Sequence, residues 1–146
     1  MEIWGIILAA GAGSRMSGLG CSKQFLEFDG APLYFSSALS MAKVARMNGL
    51  IFVFPQDQFA EHETGLNALA VLHDIGIPCL SVPGGARRQD SVYAGLKALP
   101  STCTHVLVHD GARPFTSPAL INRICDELEK GVQAVIPCVK VVDTIK

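Results

Sequence analysis

The sequence predicts an α/β fold, a doubly wound and mostly parallel sheet with helices on both faces. Two observations predict it. The run Leu50-Ile51-Phe52-Val53-Phe54 has strand length and is apolar throughout, the mark of a parallel strand covered on both sides. Helix-length stretches punctuated by proline and glycine separate it from other such runs, a spacing that implies parallel strands joined by right-handed crossovers.

The elements follow in order. A first strand spans about Glu2 to Ala9 and breaks into small residues and glycines. Phe25 to Phe28 alternates loosely and ends in the turn signal Asp29-Gly30. Pro32 opens a helix to about Arg46, with Leu33, Phe35, Ala38, Leu39, Ala42 and Ala45 on one side. Leu50 to Phe54 is the second long strand, stopped by Pro55. A helix from about Phe59 to Ile75 precedes a short strand at Cys79 to Val82. Gly84-Gly85 turns into a helix from about Arg88 to Leu99, closed by Pro100. His105 to His109 is the next strand. Ser117 and Pro118 read as N-cap and first residue of a helix ending near Lys130-Gly131, with a further strand expected over Val132 to Cys138. Lys140 to Lys146 reads as extended.

Composition narrows the functional classes. At 146 residues the chain is expected to be one domain, and 49% hydrophobic with 17% charged residues describes an ordered core rather than a disordered segment. A net charge of −1 gives no general attraction to nucleic acid or an anionic membrane, so any anion needs a local site. No apolar run reaches the roughly 18 residues of a membrane span. The N-terminus has an acid, Glu2, where a signal peptide needs a base, and its apolar run is short. Cys21, Cys79, Cys103, Cys125 and Cys138 are odd in number and form no Cys-x-x-Cys pair, which argues against zinc or a disulfide frame and for a reduced, cytoplasmic setting.

Three polar clusters follow strands and therefore gather at the carboxyl edge of the sheet, where open α/β sheets bind ligands. In the first, Gly11 and Gly13 remove side chains where backbone N–H groups would approach a polyphosphate, and Ala9, Ala10 and Ala12 keep the wall low. Arg15 and Lys23 add charge that can follow an anion through reaction. Met16 stands where a dinucleotide fingerprint needs its third glycine, and no Gly-Lys-Ser/Thr of a Walker loop follows. The plain alternative for this stretch is a tight strand-to-helix turn with two solvated cations.

In the second cluster, Gly84-Gly85 would let a flat base lie on bare backbone, with the Ser91 hydroxyl near its edge. Arg87 and Arg88 sit where the helix dipole disfavours cations, a hint of an anion or carboxylate nearby. In the third, Asp110 ends a strand where one carboxylate could help hold magnesium, and Pro114 keeps Arg113 extended so that it can aim over the sheet edge. His105 and His109 lie on one strand face about 13 Å apart, too far to share a metal, and read as structural. A phosphate cradle, two cations, a metal carboxylate and a base pocket describe phosphoryl or nucleotidyl transfer, in which catalysis is positioning plus charge stabilisation.

Four motifs, in order, carry a resemblance. They are Ala9-Ala10-Gly11-Ala12-Gly13-Ser14-Arg15-Met16 with Lys23-Gln24, Gly84-Gly85 with Arg88 and Asp90-Ser91-Val92, Val108-His109-Asp110-Gly111-Ala112-Arg113-Pro114-Phe115, and Asp143-Thr144-Ile145-Lys146. Together they resemble the 2-C-methyl-D-erythritol 4-phosphate cytidylyltransferases.

The resemblance implies a Rossmann-like fold of the nucleotidyltransferase type. It also implies a magnesium-dependent reaction of CTP with methylerythritol 4-phosphate, giving CDP-methylerythritol and pyrophosphate for non-mevalonate isoprenoid synthesis. By motif, Ala10, Gly11, Ala12, Gly13, Gly85, Ala86 and Ser91 would line the CTP site, and Arg15 and Lys23 would stabilise the transition state. Asp110, Gly111 and Arg113 would face the sugar-alcohol phosphate, Asp110 also the metal, and Thr144 would contact the substrate phosphate across a homodimer.

The interval from Arg15 to Lys23 is one residue longer than the family's, Cys21-Ser22 replaces its approach to the lysine through proline, and Gly111 stands where it mostly has alanine. The family also continues past Lys146, so residues 1–146 are expected to form a single nucleotide-binding domain cut at the start of the dimerisation arm, about 139–146. Ribitol 5-phosphate cytidylyltransferase, which shares the loop and the Asp-x-x-Arg-Pro motif, and a CTP-binding module without turnover are the alternatives.

Overall fold

The computed structural model describes residues 1–11 and 22–140. Its centre is a parallel four-stranded sheet in the order β5-β4-β1-β6, with β1 at Ile3–Leu8, β4 at Met47–Phe54, β5 at Cys79–Pro83 and β6 at His105–Asp110. A small antiparallel pair, β2 (Glu27–Phe28) and β3 (Ala31–Pro32), stands apart and turns through Asp29 and Gly30, both at positive φ. The helices are α1 (Leu33–Ala42), α2 (Phe59–Leu72), α3 (Arg88–Lys97) and α4 (Pro118–Glu129).

The period of two in β1 and β4 divides the core. Ile3, Ile7, Leu50, Phe52 and Phe54 face Tyr34, Phe35, Ala38 and Met41 of α1, Leu66 of α2, and Ile121 and Cys125 of α4. Trp4, Ile6, Ile51 and Val53 face the other way, toward Val82, Ala98, Leu99 and Val106. There α3 lies against the sheet so closely that a Cβ on Gly95 would stand 2.8 Å from Ile6 Cγ2. Helices on both faces make the sheet doubly wound, as expected. The chain runs outward from β1 through β4 to β5, then returns to pair β6 on the other side of β1, which places a topological switch point beside β1.

Several boundaries move. The helix expected to reach Arg46 stops at Ala42, because Val44 N–H donates to the Met41 carbonyl and Met47 N–H to that of Val44 in tight turns that start β4 early. Arg46 instead binds Asp126 and Glu129 of α4. The helix expected to reach Ile75 ends at Leu72, where Asp74 and Gly76 take positive φ. Ser117 caps α4 as read, its Oγ accepting from Leu120 N–H at 3.2 Å with Pro118 at the first position.

The strand expected over Val132 to Cys138 is not formed: these residues join no ladder, and Ile136 is 82% exposed. A strand is stable only as a paired one, and no described strand pairs with this segment. Local propensity alone does not supply the missing hydrogen bonds.

Gly49 illustrates how tightly the sheet end is built, because a Cβ there would lie 2.5 Å from the Trp4 ring. Gly49→Ala is expected to cost about 2 kcal/mol through displacement of that indole. Urea unfolding would read this as a lower midpoint at unchanged slope.

Candidate active site

A cleft opens where β1, β4, β5 and β6 end, lined by Ala10, Gly11, Lys23, Gln24, Gly84, Gly85, Ala86, Arg88, Ser91, Asp110 and Arg113 among others. All three sequence clusters therefore contribute to one site. Ala12, Gly13, Arg15 and Thr144 lie outside the described residues.

The β1 side is held by a residue that the sequence reading left without a role. Gln24 is 6% exposed, and its Nε2 donates to the carbonyls of Ala9 at 2.8 Å and Gly11 at 2.7 Å. Both amide hydrogens are thus used on the loop that would face the phosphates. On either side of it, Lys23 begins a 3-10 turn at the cleft wall, and Phe25 stacks on His62 at 4.0 Å and packs edge-on to Tyr34. The motif Lys23-Gln24-Phe25 therefore presents a cation while its neighbours anchor to loop and core. Among the described residues no atom lies within 4 Å of a Cβ built on Gly11.

The two glycines after β5 have a packing reason. A side chain on Gly84 would collide with Ala10, and one on Gly85 with Asp90. They let the start of α3 close on the end of β1. Ser91, 4% exposed, accepts from Gly85 N–H at 3.2 Å, so its hydroxyl is spent on fixing the loop. Its contribution to the cleft is the backbone it holds.

Arg87 and Arg88 divide their work. Arg87 is taken up by Asp90, its guanidinium 2.8 Å from Oδ1 and its backbone N–H donating to Oδ2 at 3.1 Å. Arg88 reaches Asp110, as the misplaced cation had hinted: Nη2 lies 2.7 Å and Nε 3.2 Å from Oδ1. Arg113 Nε is 3.2 Å from Oδ2. Burial pushes the Asp110 carboxyl up, but the hydrogen bond and charge of Arg88, with the charges of Arg113 and His109, outweigh it and hold the group below its usual range.

A carboxylate with a lowered folded pKa contributes stability above its unfolded value, and loses it as pH falls through the folded value. The Asp110 links should therefore persist well into acid. A carbon-13 titration of this carboxyl is expected to give a midpoint below the ordinary aspartate value of about 3.9. A midpoint at or above that value would mean the pairs do not hold in solution.

The turn itself is fixed from below. Arg113 N–H donates to the Asp110 carbonyl at 3.0 Å, and Gly111 N–H to that of Leu8 at 2.9 Å. A Cβ on Gly111 would stand 2.9 Å from the same Leu8 oxygen, so bare backbone suits this close approach. His109 Nε2 lies 3.0 Å from the Arg113 carbonyl and 2.9 Å from Oγ of the buried Ser37. Burial pushes the His109 imidazole down, which favours its neutral form near pH 7. His105, at the other end of β6, contacts Thr104. Each histidine, expected to be structural, lies within hydrogen-bond distance of neighbouring polar groups, and His109 braces the Asp110 turn.

A magnesium ion at Asp110, the role expected of it, would share the carboxylate with two guanidiniums. Oδ1 accepts from Arg88, and Oδ2 lies 3.2 Å from Arg113 Nε. Burial pushes the Cys79 thiol up to about 11, so Cys79 stays a thiol near pH 7.

A sequence profile of the family described as IspD, 2-C-methyl-D-erythritol 4-phosphate cytidylyltransferase, matches residues 3–146. The chain belongs to this family. Among curated relatives, the bifunctional enzyme IspD/IspF of Oleidesulfovibrio alaskensis is 48% identical over the full chain, which covers 37% of that relative. The 2-C-methyl-D-erythritol 4-phosphate cytidylyltransferase of Shouchella clausii is 38% identical, again over the full chain, which covers 61% of it. The crystal structure of 4-diphosphocytidyl-2C-methyl-D-erythritol synthase from Anaerococcus prevotii superimposes with a TM-score of 0.70 at 29% identity, over 88% of this chain and 51% of that one. The cytidylyltransferase family thus supplies the fold, and this chain spans between about a third and two-thirds of these relatives' length.

Proposed function

We propose that this chain forms the nucleotide-binding part of a 2-C-methyl-D-erythritol 4-phosphate cytidylyltransferase. In the reaction a phosphate oxygen of methylerythritol 4-phosphate attacks the α-phosphorus of CTP. The bond to the β-phosphate oxygen breaks, and pyrophosphate leaves as CDP-methylerythritol forms. The observation that carries the proposal is the meeting of three motif clusters, after β1, β5 and β6, in one cleft.

The roles follow from the donors present. The Ala10-Gly11 backbone and Lys23 would receive the triphosphate, with Arg15 adding charge as it builds at phosphorus. Gly84 to Ala86 would take the cytosine side. Asp110 and Arg113 would meet the acceptor, the carboxylate by accepting from hydroxyls and the guanidinium by donating to oxygens. Magnesium would be held by the triphosphate with Asp110 and supply charge neutralisation there; Asp110→Asn should weaken the magnesium dependence of CTP binding. A homodimer in which Thr144 reaches a partner's site, and a cytoplasmic location, belong to the same proposal. Among the described residues no helix is long and apolar enough to cross a membrane.

Titration calorimetry with CTP, UTP, ATP and GTP in magnesium buffer tests the nucleotide half. Selective CTP binding is expected, and binding of none of the four would sink the proposal. A pyrophosphate-release assay with methylerythritol 4-phosphate and ribitol 5-phosphate then separates the two acceptors. CTP binding with no release would leave the binding-module reading.

A further inference from the structure

We propose that Arg88 is a positioning residue for the acceptor half of the cleft, although it stands on the helix that borders the nucleotide half. The inference rests on the cytidylyl-transfer reading above. Arg88 opens α3 directly after the Gly84-Gly85 turn, yet two of its nitrogens cross to Oδ1 of Asp110 at the end of β6. Arg113 Nε lies 3.2 Å from Oδ2. The carboxylate is thereby held between guanidiniums that come from two different strand ends.

The division of labour with the neighbouring groups makes the role specific. Arg87 is occupied by Asp90 and does not compete. The backbone of the Asp110 turn is secured without Arg88, by Gly111 N–H on Leu8 and by His109 on the Arg113 carbonyl. What Arg88 adds is the direction of the carboxylate. Arg88 gives two N–H groups of its rigid fork to the one oxygen Oδ1 and so anchors that oxygen, whereas a lysine ammonium supplies charge without the fork. Arg88, Asp110 and Arg113 together carry one net positive charge, and among the described residues Oδ2 accepts no hydrogen bond and lies beside guanidinium N–H groups without a partner. Adjacent acceptor and donors with a positive balance suit a polyol phosphate, which brings hydroxyl hydrogens and anionic oxygens together.

The test uses the full 146-residue chain. Calorimetry would measure CTP alone, and methylerythritol 4-phosphate in the presence of a non-hydrolysable CTP analogue, for wild type, Arg88→Lys, Arg88→Met, Asp110→Asn and the Arg88→Met/Asp110→Asn double variant. Arg88→Met is expected to weaken the acceptor about tenfold while CTP affinity stays within about twofold, with Arg88→Lys in between. The double variant should bind acceptor no more weakly than Asp110→Asn, because Arg88 acts through that carboxylate. In nitrogen-15 spectra the Arg88 Nε–H resonance should move on Asp110→Asn, which a purely structural role for Arg88 at the start of α3 would not require.

Equal losses for CTP and acceptor, or losses that multiply in the double variant, would overturn the role of Arg88 and leave the functional reading intact. Wild type that binds CTP but no acceptor would also overturn it, since the cluster would then present nothing an acceptor recognises. Wild type that binds neither ligand would instead overturn the functional reading on which the role rests.

Discussion

Gln24→Glu is expected to abolish CTP binding and to lower stability by about 3 kcal/mol at neutral pH. The side chain is buried, and both of its amide hydrogens go to the carbonyls of Ala9 and Gly11. A carboxylate cannot donate, so the substitution would set an ionised acceptor against two further acceptors in a site with little water. Charge burial raises a carboxyl pKa, and a raised pKa makes the penalty grow as pH rises. Part of the loss should therefore return near pH 5, where a protonated glutamic acid can donate one hydrogen bond. Gln24→Leu removes the charge but leaves both carbonyls unsatisfied, and should show a smaller loss that does not change between pH 5 and 8. Urea unfolding at the two pH values, with CTP calorimetry, would check this. A Glu variant as stable as wild type at pH 8 would mean the loop is held by something other than Gln24.

The second large effect is expected at Gly84→Val. The new Cβ would run into Ala10, stand 2.8 Å from Ser91 Oγ and 3.2 Å from Val53 Cγ1. Little can give way, because Gly84 N–H is bonded to the Phe54 carbonyl and Ala9 N–H to that of Val53, each at 2.8 Å. Overpacking at such a point costs about 1–3 kcal/mol. The strain falls between the two halves of the proposed nucleotide site, so CTP affinity should fall by more than tenfold. Ala10→Gly in the same chain removes one collision and should restore part of the stability. If Gly84→Val bound CTP as wild type does, the close approach of α3 to the end of β1 would not matter to the nucleotide site.

Much of the fold was legible because it depends on local chemistry. The apolar run Leu50 to Phe54 reads as a doubly covered strand, and the structure buries all five of its side chains. Ser117-Pro118 reads as a helix start because a hydroxyl cap and a fixed φ act within one turn. The strand-end positions of Gly84, Asp110 and Arg113 followed from the winding rule, which delivers every strand end to the same edge. The strand expected at Val132 to Cys138 failed where that logic stops, since a strand's hydrogen bonds belong to its partner and not to its own sequence.

By itself, the sequence determined the α/β winding, the four motif clusters and the edge on which those after β1, β5 and β6 gather, all consequences of periodicity, turn residues and chain order. Only the tertiary structure decided how the side chains pair across that edge. Gln24 staples the loop before it, Ser91 faces inward to hold Gly85, and Arg88 rather than Arg87 meets Asp110. These pairings join residues 6 to 22 positions apart along the chain. Spacing along one helix or strand says nothing of them: the Arg88–Asp110 pair exists only once α3 has closed on the end of β6, and the Gln24 staple only once the turn at Lys23–Phe25 has come back to the end of β1.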